Sequence, residues 1–142
     1  MTVCFFNENT PFPFVGKKRI VKSQIKSLIE MENKTAGDLC FIFCSDDILL
    51  DMNKKHLNHD YYTDVITFDY TSDNTISGDI FISIDRVSEN AGKFGTSFDR
   101  ELDRVMYHGV LHLCGYDDKS ENDRRTMREK EDFYLNMLSI IK

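Results

Sequence analysis

The sequence predicts an α+β domain in which packed helices cover a small mixed β-sheet. Segments with strand and helix patterning follow one another in the order β α β α β β α α α. Two of the predicted strands flank a short polar turn, which is typical of a hairpin. The 142 residues are 41% hydrophobic and 30% charged, with two prolines, a composition that excludes a collagen-like chain and disfavours disorder. We therefore expect residues 1–142 to form a single domain.

The chain begins with two strands that enclose a helix. Residues 3–6 (VCFF) predict a short strand. Residues 18–33 predict a helix because their apolar side chains recur at helical spacing, with lysines between them. Gly37 is expected to break this helix before a buried strand over residues 38–44 (DLCFIFC).

A second helix and the hairpin form the middle of the chain. Ser45 can cap the helix, whose first turn contains two aspartates and which runs to about residue 57. Residues 64–69 (DVITFD) and 78–84 (GDIFISI) predict the strands on either side of the polar turn TSDNTIS. A short helix over residues 85–92 is expected next.

Two longer helices complete the predicted fold. Thr96 or Ser97 can start a helix that ends at Gly115, because a glycine at that point permits the positive φ of a helix end. Ser120, with an acidic residue three positions later, resembles a capping box and opens a final helix over about residues 121–140.

The charge distribution argues against a protein that coats nucleic acid. The net charge is −6, whereas binding to many phosphates depends on an excess of Lys and Arg. A local basic excess surrounds the start of the first helix, at Lys17, Lys18, Arg19, Lys22 and Lys26. Two interpretations of it stay open: a solvated helix face or a contact to nucleic acid.

Apolar runs and cysteines indicate the cellular compartment. No apolar run approaches the roughly 18 residues of a membrane span, and the N-terminal pattern is not that of an export signal. We therefore expect a cytoplasmic protein with no membrane partner. The four cysteines include no CxxC pair and are expected to be free thiols. Cys40 and Cys44 are too far apart along a strand to share a metal ion or a disulfide.

The segment MYHGVLHLCGYDD, residues 106–118, contains a candidate metal site. His108 and His112 are four residues apart on a predicted helix, so both project from one face and can bind one ion. After the turn at Gly115, either Asp117 or Asp118 can supply a third ligand. This pattern matches a catalytic zinc site with an open position for water. The alternative is a packed or surface histidine pair without a metal.

Residues near the histidines limit the chemistry of this site. Zinc proteases of the HExxH kind carry their general-base glutamate directly after the first histidine, and this chain has Gly109 there. Cys114 is rotated away from the histidine face. Glu101 lies two turns before His108, too far to bond it directly, so a helix-terminal charge or a salt bridge is the expected role of Glu101.

The segment HGVLHLCGYDD resembles the signature of the YbeY family, zinc-dependent endoribonucleases of bacterial ribosomal RNA maturation. Three further segments are similar to family segments: MNKKHLNHDYYTDVITFD at residues 52–69, GDIFIS at residues 78–83, and the closing helix around Met127 and Glu131. The resemblance therefore covers roughly residues 38–135.

The resemblance implies a zincin-like fold, with the metal site at the end of a central helix, and hydrolysis of single-stranded RNA. It implies a role in maturing the 3′ end of 16S rRNA and in ribosome quality control. The rRNA precursor and the small ribosomal subunit would then be the partners. By position, His108, His112 and Asp118 occupy the three ligand places for one zinc ion per chain.

Two positions depart from the family pattern. The third ligand place is usually histidine and here is Asp118; an anionic ligand lowers the net charge of the site, so water there should be less acidified. An arginine that would face the substrate phosphate is replaced by Leu57. The nearby polar side chains either substitute for it or form an exposed polar loop: Lys54, Lys55, His56 and His59.

We expect substrate contacts at five residues: Asn53, Lys54, His56, His59 and Asp64. Lys54 and His59 are also the candidate catalytic side chains, besides a water that the metal activates. Asp64, at the start of a predicted strand, is expected to orient a ligand or to fix the turn. Two other functions stay open: a ribosome-associated assembly factor with little catalysis, and a metal hydrolase that acts on another bond. The sequence predicts no oligomeric state.

Overall fold

The computed structural model describes residues 2–14, 16–57 and 63–138. Within these ranges the strands and helices follow the predicted order. They are β1 (Thr2–Glu8), α1 (Lys18–Met31), β2 (Thr35–Cys44), α2 (Asp46–Leu57), β3 (Val65–Asp69), β4 (Thr75–Ser83), α3 (Ile84–Phe94), α4 (Phe98–Leu113) and α5 (Glu121–Leu138). The predicted α+β fold, a small mixed sheet with packed helices, is confirmed.

The sheet has four strands in the order β1-β2-β4-β3. β1 pairs in parallel with β2, and β2 in parallel with β4, whereas β3 runs antiparallel to β4. β3 and β4 form the hairpin that the sequence predicts. Asp73 in its turn has φ +54°, a left-handed conformation that aspartate tolerates better than most residues.

Both faces of the sheet are covered, because successive side chains of a strand point to opposite sides. Ile80 and Ile82 of β4 belong to the main core, which also contains apolar side chains of α1, α4 and α5. Phe81, between them, packs with Leu49 of α2 and Ile66 of β3 in a second, smaller cluster. α2 therefore lies on the face of the sheet opposite the main core.

α4 is the central helix of the main core, and Gly109 brings it close to the sheet. A Cβ atom at position 109 would lie 2.8 Å from Cγ2 of Ile80, a distance that no ordinary contact allows. The absence of a side chain thus sets the approach of α4 to β4. It also means that a side chain at this position would meet the sheet.

Serine side chains start three of the helices at the positions that the sequence predicts, and Ser83 caps α3 as well. Ser45 Oγ accepts a hydrogen bond from the Ile48 amide (3.4 Å), Ser97 Oγ from the Arg100 amide (3.1 Å) and Ser120 Oγ from the Asp123 amide (3.0 Å). Each bond satisfies an amide that has no partner within its own helix. These caps fix where α4 and α5 begin, on either side of the candidate site.

Three predictions about local structure are wrong. Gly37 does not end α1, which stops at Met31 and is followed by Asn33 at φ +61°; Gly37 lies within β2, where a Cβ would come within 2.3 Å of Ser77 Oγ. The helix predicted to about residue 57 is confirmed as α2, so the alternative of an exposed polar loop is wrong for Lys54, Lys55 and His56. Asp64 lies in a bend immediately before β3 and not on the strand.

The four cysteines are free thiols, as predicted. Burial raises the pKa of the Cys44 thiol to about 12 and that of the Cys114 thiol to about 12. Among the helices of the described ranges, none is long and apolar enough to cross a bilayer.

Candidate metal centre

Three ligand-type atoms converge where α4 ends. The Nε2 atoms of His108 and His112 are 2.9 Å apart, because the two residues lie one turn apart on the same face of α4. Asp118 Oδ2 lies 3.3 Å from His108 Nε2 and 3.2 Å from His112 Nε2. All three residues are half-buried. The sequence motif therefore produces one compact cluster and not a dispersed histidine pair.

The loop after α4 brings Asp118 back to the histidines. Gly115 has φ +109°, which a residue with a side chain rarely adopts. The Tyr116 amide then donates to the Leu111 carbonyl (3.0 Å), so the chain turns back toward the helix. Asp117 is exposed, and its Oδ1 accepts from the Asp118 amide (2.8 Å). The structure thus brings Asp118 to the cluster and leaves Asp117 outside it.

Each histidine is oriented by a bond at its other ring nitrogen. His112 Nδ1 donates to the carbonyl oxygen of Tyr116 (3.0 Å), and His108 Nδ1 donates to Glu131 Oε2 (2.7 Å). A carbonyl oxygen accepts only, so His112 carries its proton on Nδ1 and leaves a lone pair on Nε2. Partners of this kind commonly fix the rings of metal-binding histidines.

Glu131 is itself held in place by Arg104. Oε1 of Glu131 accepts from Arg104 Nη1 (2.9 Å), while Arg104 Nη2 donates to Asp132 Oδ1 (2.8 Å). The Glu131 side chain is only 7% exposed. A buried carboxylate needs such paired donors, because an unpaired buried charge is costly. The hydrogen bonds from Arg104 to Glu131 and from His108 to Glu131 therefore fix the His108 ring. They connect α4, which carries Arg104 and His108, to Glu131 of α5.

The residues present fit a divalent metal ion. With both Nδ1 atoms donating, the two Nε2 lone pairs and the Asp118 carboxylate are three acceptors that face one another. Zinc bonds of about 2.0–2.1 Å in a tetrahedron place neighbouring ligand atoms about 3.3 Å apart. The observed separations of 2.9, 3.2 and 3.3 Å are close to that value. A cation would satisfy all three acceptors at once.

The cluster also attracts protons. Burial tends to lower the pKa of His108, but the bond to Glu131 and the negative charges of Glu131, Asp64 and Asp118 outweigh it, so this pKa is raised. A proton and a metal ion then compete for the same histidine, and metal binding should weaken in acid.

A cavity of about 250 Å³ opens beside His108 and Asp118. Its wall includes the carboxyl groups of Asp64 and Glu101. Burial raises the pKa of both, although the positive charge of His108 opposes the effect at Asp64 and that of Arg104 opposes it at Glu101. Glu101 lies 4.0 Å from Arg104 Nε, which agrees with the salt bridge that the sequence suggests. The cluster therefore borders a cavity whose wall combines ionisable side chains with apolar ones.

Three other residues predicted at the site, all on the described helix α2, do not line this cavity. Asn53 is 1% exposed within α2, so a substrate cannot reach its side chain in this conformation. Lys54 and His56 are exposed on α2, and the His56 ring packs edge-on against Phe68 with centroids 6.1 Å apart. His59 lies outside the described residues. Of the predicted substrate contacts that the structure describes, Asp64 shares the cavity with His108.

The sequence patterns do not predict the roles of Arg104, Tyr116 and Glu131. Glu131 had a usable signal: the buried positions of α5 are Met127, Glu131, Tyr134, Leu135 and Leu138. A charged residue in such an apolar stripe indicates a paired, buried carboxylate. The Tyr116 contact uses a backbone carbonyl, which no side-chain pattern indicates.

Comparison with known proteins identifies the family. Residues 7–139 match the family model described as Endoribonuclease YbeY. Curated relatives with this name include that of Parabacteroides distasonis, 46% identical over 138 residues, which are 97% of this chain and 96% of that protein. Another is that of Flavobacterium psychrophilum, 53% identical over 116 residues, which are 82% of this chain and 83% of that protein.

A solved structure supports the same conclusion at the level of the fold. The solution structure of TM1509 from Thermotoga maritima superposes with a TM-score of 0.67 at 28% sequence identity. The match covers 96% of this chain and 89% of the other. The chain belongs to the YbeY endoribonuclease family.

Proposed function

We propose that this protein is a cytoplasmic zinc-dependent endoribonuclease that cleaves single-stranded RNA. Its proposed substrate is the rRNA precursor of the small ribosomal subunit, in 16S rRNA 3′ end maturation and ribosome quality control. Family membership supports the cleavage of RNA. The observation that carries the metal dependence is the convergence of three acceptor atoms within 3.3 Å at the cavity. Two imidazoles and one carboxylate form a donor set typical of catalytic zinc.

The protein's own residues have distinct proposed roles. His108, His112 and Asp118 bind the ion, while Glu131 and the Tyr116 carbonyl orient the two rings. When bound, zinc supplies Lewis-acid chemistry, since it acidifies water and withdraws charge from a phosphate. Asp64, on the cavity wall, contacts the substrate or holds a proton at its carboxyl oxygen. Lys54 and His56, exposed on α2, are proposed contacts for RNA outside the cavity.

Position 109 argues against peptide hydrolysis. The residue after the first histidine of an HExxH protease is the catalytic glutamate, and here Gly109 packs against Ile80. A side chain at this position would meet β4 within 2.8 Å. Neither the residue nor the space for that general base exists at position 109.

Cleavage of a labelled single-stranded RNA tests the proposal. We expect cleavage by zinc-loaded protein, none after chelation, and recovery when zinc is restored. His108→Ala should behave like the chelated protein. Asp117→Ala is the control, because Asp117 is an exposed residue outside the cluster, and this variant should cleave RNA as the wild type does when zinc is present. Cleavage that survives chelation and His108→Ala would overturn metal dependence. A zinc-loaded protein that binds RNA without cutting it would indicate an assembly factor instead.

A further inference from the structure

One wall of the cavity combines two arginines with an exposed aromatic ring. Arg124 and Arg128 of α5 and Phe94 at the end of α3 line the same space as His108 and Asp118. The two arginines are four residues apart, so they lie on one face of α5. Arg125, between them in sequence, is exposed but does not line the cavity. The cavity wall therefore includes the face of α5 that carries Arg124 and Arg128, and not the face that carries Arg125.

The arginines of the cavity differ in what they already bind. Arg104 is engaged by Glu131 and Asp132. Arg124 Nη1 donates to the Lys119 carbonyl (2.9 Å), next to Asp118, and its guanidinium has further N–H donors. Arg128 is exposed and makes no hydrogen bond or ion pair with any residue of the described ranges. Arg124 and Arg128 are thus the guanidinium groups that can receive a new anion.

An anion needs these two arginines because carboxyl groups outnumber the other basic side chains of the cavity, Arg104 and His108. Four carboxyl groups line the cavity: Asp64, Glu101, Asp118 and Glu131. A phosphate that approached them unaided would be repelled. Guanidinium groups bind phosphate oxygens with two parallel hydrogen bonds, which a leucine or an amide cannot reproduce.

Phe94 adds an apolar surface that the fold does not use. The residue is 58% exposed, although the side chains of Val87 and Ala91 on the same helix are buried. The Lys93 ammonium lies 5.7 Å from the centroid of its ring, so one positive charge already accompanies this surface. An exposed ring next to arginines is the arrangement on which single-stranded nucleic acids stack their bases.

We infer that Phe94, Arg124 and Arg128 form a nucleotide subsite next to the metal centre, in which Phe94 stacks an unpaired base and the arginines bind a neighbouring phosphate. The inference rests on the proposed cleavage of RNA and specifies how the strand is held. A base can lie on Phe94 only if it is not stacked within a duplex. The subsite therefore supplies a physical reason for a preference for single strands.

The phosphate contact is tested by RNA binding to metal-free protein. A fluorescent single-stranded oligoribonucleotide is titrated with protein in chelator, over a series of salt concentrations. Arg128→Gln should weaken binding and make the log–log salt slope shallower by about 0.7, the value for one phosphate contact on a single strand. Arg125→Gln is the matched control on the same helix and should leave the slope unchanged. Equal changes in both variants would overturn the phosphate subsite in favour of diffuse attraction.

The base contact is tested with the same RNA as a single strand and as a duplex. Phe94→Ala should weaken single-strand binding at least about fivefold, as loss of one stacked base does, and leave duplex binding unchanged. Phe94→Tyr should restore it. Tyr70→Ala removes an equally exposed aromatic outside the cavity and should have no effect. Unchanged single-strand binding in Phe94→Ala, or an equal loss for the duplex, would overturn the stacking.

These measurements separate the subsite from the proposed function. No metal is present in the binding assay, so a wild-type protein that fails to cleave RNA with zinc would refute the nuclease and leave the binding results standing. Conversely, variants that bind and cleave as the wild type does would refute the subsite and leave the nuclease intact.

Discussion

Two largely buried glutamates form hydrogen-bond networks of similar design around α5. The Glu131 side chain is 7% exposed and accepts from His108 and Arg104. The Glu32 side chain is 8% exposed and accepts from Tyr116, Tyr134 and Lys130. One network includes a candidate metal ligand, whereas the other ties the end of α1 to α5 and to the loop after α4. A buried glutamate that accepts several hydrogen bonds thus occurs both beside a candidate metal ligand and at a contact between elements of the fold.

Tyr116 connects the Glu32 network to the metal cluster, because its hydroxyl donates to Glu32 and its carbonyl accepts from His112. No residue of the Glu32 network bonds to Glu131 or His108 among these contacts. Burial tends to raise the pKa of Glu32, but the bonds from Tyr116, Tyr134 and Lys130 outweigh it and lower that pKa. We conclude that Glu131 affects metal binding, because its donor His108 is a candidate ligand. Glu32 affects the stability of the fold, because none of its three donors is a candidate ligand. This difference can be tested residue by residue.

The largest expected effect is on metal affinity. Glu131→Gln replaces the carboxylate that holds His108 Nδ1 by a neutral amide, so zinc affinity should fall about 10–100-fold, as for other outer-shell changes at metal sites. Competition with a chromophoric chelator measures this affinity. Asp132→Asn is the control, because it removes the other partner of Arg104 without touching His108. Equal affinity in Glu131→Gln and the wild type would contradict an orienting role.

Glu32→Gln should show the opposite pattern. The loss of charge-assisted bonds from three donors should lower the free energy of unfolding by about 2 kcal/mol, with zinc affinity unchanged. Urea unfolding of metal-free protein measures the stability. Glu30→Gln, on the exposed face of α1, should change it by no more than about 0.5 kcal/mol. If Glu32→Gln weakened zinc binding as strongly as Glu131→Gln does, the two networks would not be separate.

Tyr134→Phe sharpens the comparison within the Glu32 network. The ring stays in the core, where Tyr134 is 1% exposed, and one donor to Glu32 is lost. The free energy of unfolding should fall by about 1 kcal/mol, the usual contribution of one hydrogen bond. The urea midpoint should shift without a change in the slope m. A midpoint equal to that of the wild type would show that the hydroxyl contributes nothing to stability.

The smallest expected effect is on the pH dependence of stability. The pKa of Glu32 is lowered from its ordinary 4.5 in the folded protein, so the unfolded state binds more protons between the two values. The stabilisation by ionised Glu32 is therefore complete above about pH 4.5 and is lost as the pH falls through the pKa of Glu32 in the folded protein. In Glu32→Gln the loss of stability in acid should be shallower. Parallel curves for the two proteins, from urea unfolding across the acid range, would contradict this assignment.

The fold and the metal cluster are predictable where the signal is local. Ser97 and Ser120 start their helices through bonds to amides three residues away, and the spacing of His108 and His112 alone places both rings on one face. The error at Gly37 has a local cause as well. Asn33 already takes the positive φ that ends α1, so the glycine serves the close pairing of β2 with β4 instead.

Long-range contacts are the part that the sequence does not reveal. Glu131 is 23 residues from His108 in sequence, and they meet only because α5 packs on α4. Asn53 is polar but buried in α2, which a pattern of residue types does not distinguish from a substrate contact. The arrangement of Phe94 with Arg128 likewise depends on how α3 and α5 each pack against α4.

X-ray absorption of the zinc-loaded protein tests the central claim most directly, because it counts and identifies the ligands. We expect two imidazole ligands and an oxygen shell, all at about 2.0–2.1 Å, and the loss of one carboxylate oxygen in Asp118→Ala. A sulfur shell at about 2.3 Å would show that a cysteine binds the metal. That result, or fewer than two imidazoles, would contradict a centre formed by His108, His112 and Asp118.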